Sequence, residues 1–225
     1  MKNLYTLLLT ALLALVSSWA KAQKFDNLTI AEASSVCSIA QDDKGMLWFG
    51  TDAGLFAYDG YRIISPTQNS KFNTSTSQHL NTSPLTTRIH SMLMLRNVIY
   101  MATERGPMAY DIRRGRFEAL SGSAHGEMRA VTMYGGRVWF GGAQGLFSID
   151  TKSREMRTEN TRLRNVYSLL ATKHGLLVGT IAGLSVLRGA RAHAIRIGEG
   201  HQPLVNALLG DGSTAWIGTE GALYR

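Results

Sequence analysis

The sequence predicts an all-β protein: a β-propeller of about five four-stranded blades after a signal peptide. Three observations predict it. A short core of the form aromatic-x-Gly-Thr recurs with variation as Trp48-Phe49-Gly50-Thr51, Tyr100-Met101-Ala102-Thr103, Trp139-Phe140-Gly141-Gly142, Leu177-Val178-Gly179-Thr180 and Trp216-Ile217-Gly218-Thr219. The Gly or Ala positions of the last four copies, at 102, 141, 179 and 218, are 39, 38 and 39 residues apart. Each core follows one strand-like run and precedes a turn and another run. A period near 40 built from strands is what stacked propeller blades produce.

The chain opens on a leader. Lys2 is a positive start, Leu4 to Val16 is an apolar run too short to span a membrane comfortably, and Ala20-Lys21-Ala22 offers a cleavage site before Gln23. Residues 1–22 are therefore expected to be a signal peptide and 23–225 the propeller, exported to the periplasm. No later run has the ~20 apolar residues a spanning helix needs. About 200 residues then remain, enough for one full core. Cys37 is the sole cysteine, which excludes an internal disulfide. Removing Lys2 and Lys21 lowers the net charge from +8 to +6 (8 − 2), and in an exported protein that does not point to nucleic acid.

The repeats span 36–60, 89–111, 128–150, 166–187 and 205–225. Each opens with an inner strand: Val36-Cys37-Ser38-Ile39, Ile89-His90-Ser91-Met92, Met128-Arg129-Ala130-Val131, Val166-Tyr167-Ser168-Leu169 and Val205-Asn206-Ala207-Leu208. Its third residue is always Ser or Ala, small enough for a crowded centre. Hairpin pairs follow at Arg96-Asn97, Gly135-Gly136, His174-Gly175 and Asp211-Gly212. The second strand is apolar on both faces, which places Trp48, Trp139 and Trp216 between neighbouring blades. Gly54, Gly106, Gly145 and Gly183 turn the chain into the third strand. Asp59, Asp111 and Asp150 end it as structural turn residues. A weaker fourth strand is expected at 61–64, 117–120, 155–158 and 194–197.

Two segments break the repeat. Ser65 to Pro84 is a polar insertion that cannot bury a core. The last repeat stops without a fourth strand, while Phe25-Asp26-Asn27-Leu28-Thr29 precedes the first. That segment would complete the last blade if the five close into a ring; otherwise they form an open arc of a larger propeller.

From Val36 to Gly60 the chain follows the pattern V-x-S-I-x-Q-D-x-x-G-x-L-W-F-G-T-x-x-G-L-x-x-Y-D-G. This resembles the two-component regulator propeller repeat. The likeness weakens in the second copy, where Ala102 and Pro107 stand for Gly and Leu, and in the fourth, where Leu177 stands for Trp. The resemblance implies a periplasmic sensor of extracellular carbohydrate, coupled to a histidine kinase and a DNA-binding output. Members of the family also carry further repeats, a β-sandwich, a membrane helix and the kinase, none of which is in this sequence. The chain is thus expected to sense without catalysing, with its remaining sensor domains or a second copy as partners. The alternative is a stand-alone exported binding or scaffold propeller.

The chemistry-bearing residues agree with a non-enzyme. Histidines 79, 90, 125, 174, 193 and 201 lack metal-ligand spacing, and no cofactor motif is present. A glycosidase would need paired carboxylates at the centre, whereas Glu127 stands alone beside the inner strands. One position differs in kind. The second residue of the inner strand is Cys37, His90, Arg129, Tyr167 or Asn206, changing in every blade while its neighbours repeat. With Arg105, Gln144 and Arg164 from loops reaching the same end, these residues form the expected ligand site. Their arginines favour an anionic oligosaccharide, and Tyr167 would stack on a sugar face.

Overall fold

The computed structural model describes residues 27–66, 87–120, 126–159 and 162–225. The chain divides into two compact units, Met1–Ile30 and Ala31–Arg225. In the first, Asn27–Ile30 adopt no regular secondary structure, so this part of the expected closing strand is not a strand. The leader, its cleavage site, Phe25, Asp26 and the insertion beyond Pro66 lie outside the described residues.

The second unit is a five-bladed β-propeller of antiparallel sheets. Blade 1 is β1 (Val36–Gln41), β2 (Leu47–Thr51), β3 (Gly54–Tyr58) and β4 (Ile63–Ile64). Blade 2 is β5 (Ile89–Leu95), β6 (Val98–Thr103), β7 (Gly106–Asp111) and β8 (Arg116–Ala119). Blade 3 is β9 (Met128–Tyr134), β10 (Arg137–Gly142), β11 (Gly145–Asp150) and β12 (Met156–Thr158). Blade 4 is β13 (Val166–Thr172), β14 (Gly175–Thr180), β15 (Gly183–Arg188) and β16 (Arg191–Ile195). Blade 5 has three strands, β17 (Val205–Asp211), β18 (Thr214–Thr219) and β19 (Leu223–Tyr224), with β19 paired to β18. Within each blade the strands pair in sequence order, inner to outer. The fourth strand is the least regular: β16 begins three residues earlier than its sequence pattern suggests.

The repeated residues build repeated turns. Thr51, Thr103 and Thr180 are buried, and each hydroxyl bridges its own hairpin. The Thr51 hydroxyl donates to Gly54 O (2.8 Å) and accepts from Ala53 N (3.0 Å); Thr103 and Thr180 do the same with their Gly and the residue before it. The turn glycines need the left-handed region, with φ of 118° at Gly54 and 120° at Gly145. Asp59 and Asp150 each accept two backbone N–H bonds at 2.9 Å from the following residues, which confirms their turn role.

Burial runs between blades rather than within them. One cluster joins Trp48 and Leu55 of blade 1 to Ile89, Ile99 and Met101 of blade 2. A second joins Tyr100 and Ala102 to Met128 and Phe140, a third joins Trp139 and Leu146 to Val166 and Val178, and a fourth joins Leu177 and Leu184 to Val205 and Ile217. The inner strands pack in the order β1, β5, β9, β13, β17. Among the described residues β17 does not pack on β1 as the others pack on their successors. Trp216, expected between blades like Trp48 and Trp139, is only half-buried and lines a groove with Ala207, Leu209, Gly218 and Leu223.

Candidate functional site

The site begins with a defect in pairing. In blade 2, Ile89 pairs with Thr103 but Ser91 pairs with Ala102, so His90 has no opposite partner. The same slip skips Cys37, Arg129, Tyr167 and Asn206. Every inner strand therefore opens with a β-bulge, and the variable residue is the extra one. A bulged residue leaves the ladder and its side chain is re-aimed. That explains why it alone is free to vary: its neighbours are fixed by pairing, as in Ser38 with Gly50 and Ala130 with Gly141. The small neighbour also ties blades together, since Ser38 Oγ accepts from Met92 N at 3.1 Å and Ser168 Oγ donates to Val205 O at 3.3 Å.

The loops between second and third strands reach the same end. Asp52 N donates to Ser35 O, Glu104 N to Arg88 O, Ala143 N to Glu127 O and Ile181 N to Asn165 O, each acceptor lying just before its inner strand. Asp52 is anchored by the Ser34 hydroxyl and the Ser34 and Ser35 N–H groups. The hydroxyl bond is the largest influence holding its carboxyl down at about 2.

Three of the five bulge residues meet around a carboxylate. Glu127 receives a forked pair from Arg129, Nε to Oε1 at 3.1 Å and Nη2 to Oε2 at 2.8 Å. Its Oε1 also lies 3.3 Å from Nε2 of His90, on the preceding blade. The Arg129 guanidinium sits 4.4 Å from the centroid of the Tyr167 ring, on the following blade. Arg88 and Glu104 form a looser pair nearby in the chain, at 3.6 Å. Burial pushes the His90 imidazole below its ordinary value in spite of Glu127, and the Glu127 hydrogen bond raises Arg129. Among the described residues three buried side-chain polar atoms have no hydrogen-bond partner: Arg129 Nη1, His90 Nε2 and Thr87 Oγ1. Such atoms cost stability unless something satisfies them.

The remaining expected residues are spread around this group. Cys37 and Asn206, on the two end blades, are exposed. Gln144 and Arg164 flank blade 3's turn glycine, Gly145, and Arg105 is exposed on the corresponding turn of blade 2. Glu127 was missed as a site residue. As a carboxylate between two basic inner-strand positions it carried a signal, but its partners lie on two strands and only the fold unites them.

The repeat chemistry now has a counterpart among known proteins. Residues 32–53 match the family described as the two-component regulator propeller. The match covers the first repeat. The chain is similar to an extracellular domain assigned to a hybrid two-component system of B. thetaiotaomicron, at 29% identity and TM-score 0.74, over 90% of this chain and 27% of that one. A second such domain from the same organism matches at 22% identity and TM-score 0.68, over 88% of this chain and 30% of that one, and shows the fold alone. The computationally designed Ika8 protein likewise shares the fold, at 16% identity and TM-score 0.61, over 84% of this chain and 57% of that one. No curated protein matches the chain significantly. The chain thus spans less than a third of the length of the two bacterial domains it resembles. Among the described residues no helix is long and apolar enough to cross a membrane.

Proposed function

We propose that this propeller is an extracytoplasmic sensory module of a two-component system and that it binds an oligosaccharide at the bulge end of blades 2 to 4. The observation that carries the reading is the cluster of His90, Glu127, Arg129 and Tyr167, three bulge residues on three blades with unpaired buried donors. Hydroxyl groups of a sugar supply both donors and acceptors, so they suit Arg129 Nη1 and the unpartnered His90 Nε2. Tyr167 offers one ring face, the other being covered by Arg129.

The expected preference for an anionic sugar came from the arginines that reach this end, Arg105, Arg129 and Arg164 among them. Here Arg129 is neutralised by Glu127 and Arg88 lies beside Glu104, while His90 is held neutral by burial. The local charge balance therefore favours a neutral, hydroxyl-rich oligosaccharide. The test is calorimetric titration with matched neutral and acidic oligosaccharides, comparing wild type with Arg129→Ala and Tyr167→Ala. We expect binding of a neutral member and at least a ~10-fold loss in each folded variant, the size of one lost charged hydrogen bond or ring contact. Unchanged affinity in both variants would remove this site whichever sugar bound.

A further inference from the structure

The end of blades 2 to 4 away from Glu127 is built from two hairpin turns per blade, one joining the first and second strands and one joining the third and fourth. These turns, with the strand ends beside them, are residues 95–98 and 111–116 in blade 2, 134–137 and 150–155 in blade 3, and 172–175 and 188–191 in blade 4. They carry ten Lys or Arg residues and three carboxylates, a balance of +7 (10 − 3) against +8 for the entire chain. Each of the three carboxylates is already engaged. Asp111 accepts from Arg114 N at 3.0 Å, Asp150 from Lys152 N and Ser153 N at 2.9 Å, and Glu155 from Arg157 at 3.1 Å.

Seven of the cations are left over. Arg96, Arg113 and Arg116 on blade 2, Lys152 on blade 3, and Lys173, Arg188 and Arg191 on blade 4 are exposed and form no ion pair among the described residues. The site end of the same blades is different, since Arg88 lies there against Glu104 and Arg129 against Glu127. The free cations stand in two rows, Arg96 and Lys173 on inner turns and the rest on outer ones. Hydrogen bonds tie the rows together, from Ile112 N to Asn97 O (2.8 Å) in blade 2 and from Arg188 Nε to His174 O (2.9 Å) in blade 4. The inner strands of these blades pack side by side, so the charge extends from centre to rim and across three blades. Each of the three packs between two others, and the turns lie at the blade ends rather than on the packed faces. Among the described residues of these blades, Met133 is the one large apolar side chain exposed at this end.

We infer that this face docks on an anionic phospholipid surface, resting on the headgroups without entering the bilayer. A protein partner of such an area uses an apolar centre within a polar rim, which Met133 alone does not supply. A single polyanionic chain needs one track of cations, whereas these are set in two rows over three blades. A planar array of headgroups meets both rows at once, and each Lys or Arg near it adds attraction. Guanidinium forks also match phosphate oxygens. The bulge end then faces away from the bilayer, so both surfaces can be occupied together.

The experiment is vesicle co-sedimentation of the exported chain at low salt, with phosphatidylcholine alone and with an equal mixture of phosphatidylcholine and phosphatidylglycerol. Wild type is compared with Arg113→Glu/Arg191→Glu and with Arg162→Glu/Arg196→Glu, which makes the same charge change at exposed positions of the other end. Circular dichroism checks the fold of both. Wild type is expected to bind the mixed vesicles, to ignore the neutral ones and to be released by salt. Arg113→Glu/Arg191→Glu is expected to bind at least ~25-fold more weakly, about 5-fold for each positive charge lost. The other double variant is expected to change by less than ~5-fold. No binding to the mixed vesicles, equal binding to neutral ones, or equal losses in the two double variants would each overturn the proposal. Retention on soluble polyglutamate without vesicle binding would do so too, by showing an acidic chain as the partner. Sugar titration reads the other end of the blades, so its failure leaves this result untouched.

Discussion

Gly141 shows how closely one blade is fitted to the next. A methyl group there would run into Val166, a fully buried side chain on the neighbouring inner strand. β-Branched residues are restricted at χ1 and cannot swing aside. Blade 2 departs from the repeat in both partners at once, since Ala102 replaces glycine and shares its cluster with Met128, which is unbranched and adaptable. Gly141→Ala is therefore expected to cost about 1–3 kcal/mol, and Val166→Met to restore part of that loss. Chemical denaturation of wild type, both single variants and the double decides; strictly additive losses would rule out the fit as the cause. His90 yields a second expectation at this scale. Its folded-state value lies below the ordinary 6.5, so the unfolded chain binds the proton more readily. Stability is full above about 6.5 and declines as pH falls below it. The melting temperature of wild type should drop more between about pH 7.5 and about pH 5.5 than that of His90→Gln. Parallel pH profiles would show that this imidazole is not held neutral.

The same tryptophan position means different things in different blades. Trp139 is buried in the junction to blade 4 and donates from Nε1 to Tyr134 O at 3.0 Å. Trp216 occupies the equivalent place on blade 5 but lines an open groove. Trp139→Ala is expected to cost about 3–5 kcal/mol, and Trp216→Ala about 1 kcal/mol. Equal costs in urea melts would mean that the blade 5 face is covered as the others are. This pair also marks what a sequence carries. The turn glycines and the capping aspartates were legible because each acts within its own hairpin, whereas the Thr hydroxyl bridges emerged only from the structure. The variable inner-strand position was legible as an exception, since it alone escaped the repeat. Its cause was not: a bulge is a register between two strands and leaves no mark on either one. Glu127 was hidden for a related reason, because it has no fixed place in the repeat and acts through Arg129 and His90. Trp216 could not be told from Trp139 by local sequence, as the difference lies in what packs over the ring.

On the scale of the whole molecule, stability is a chain of neighbour-to-neighbour terms. Each of the four apolar clusters belongs to a single junction, and the described residues provide no fifth cluster between blades 5 and 1. In such an array the interior units are held from both sides and the end units from one, so local opening should follow position. The inner strands already show this grading. In β13 Val166 and Ser168 are buried and the rest half-buried, whereas in β17 only Val205 is buried and most of the strand is exposed. Hydrogen exchange followed strand by strand at low protein concentration should therefore find β10 and β14 slowest. The amides of β17 and β18 should exchange at least ~10-fold faster, a difference of about 1.4 kcal/mol in opening free energy. Blade 1 is expected to divide internally, with β1 fast and β2 slow, because Val36 and Ile39 are open while Trp48 and Phe49 are buried. Uniform protection across all five blades would mean that the ring closes and that the end faces cover each other.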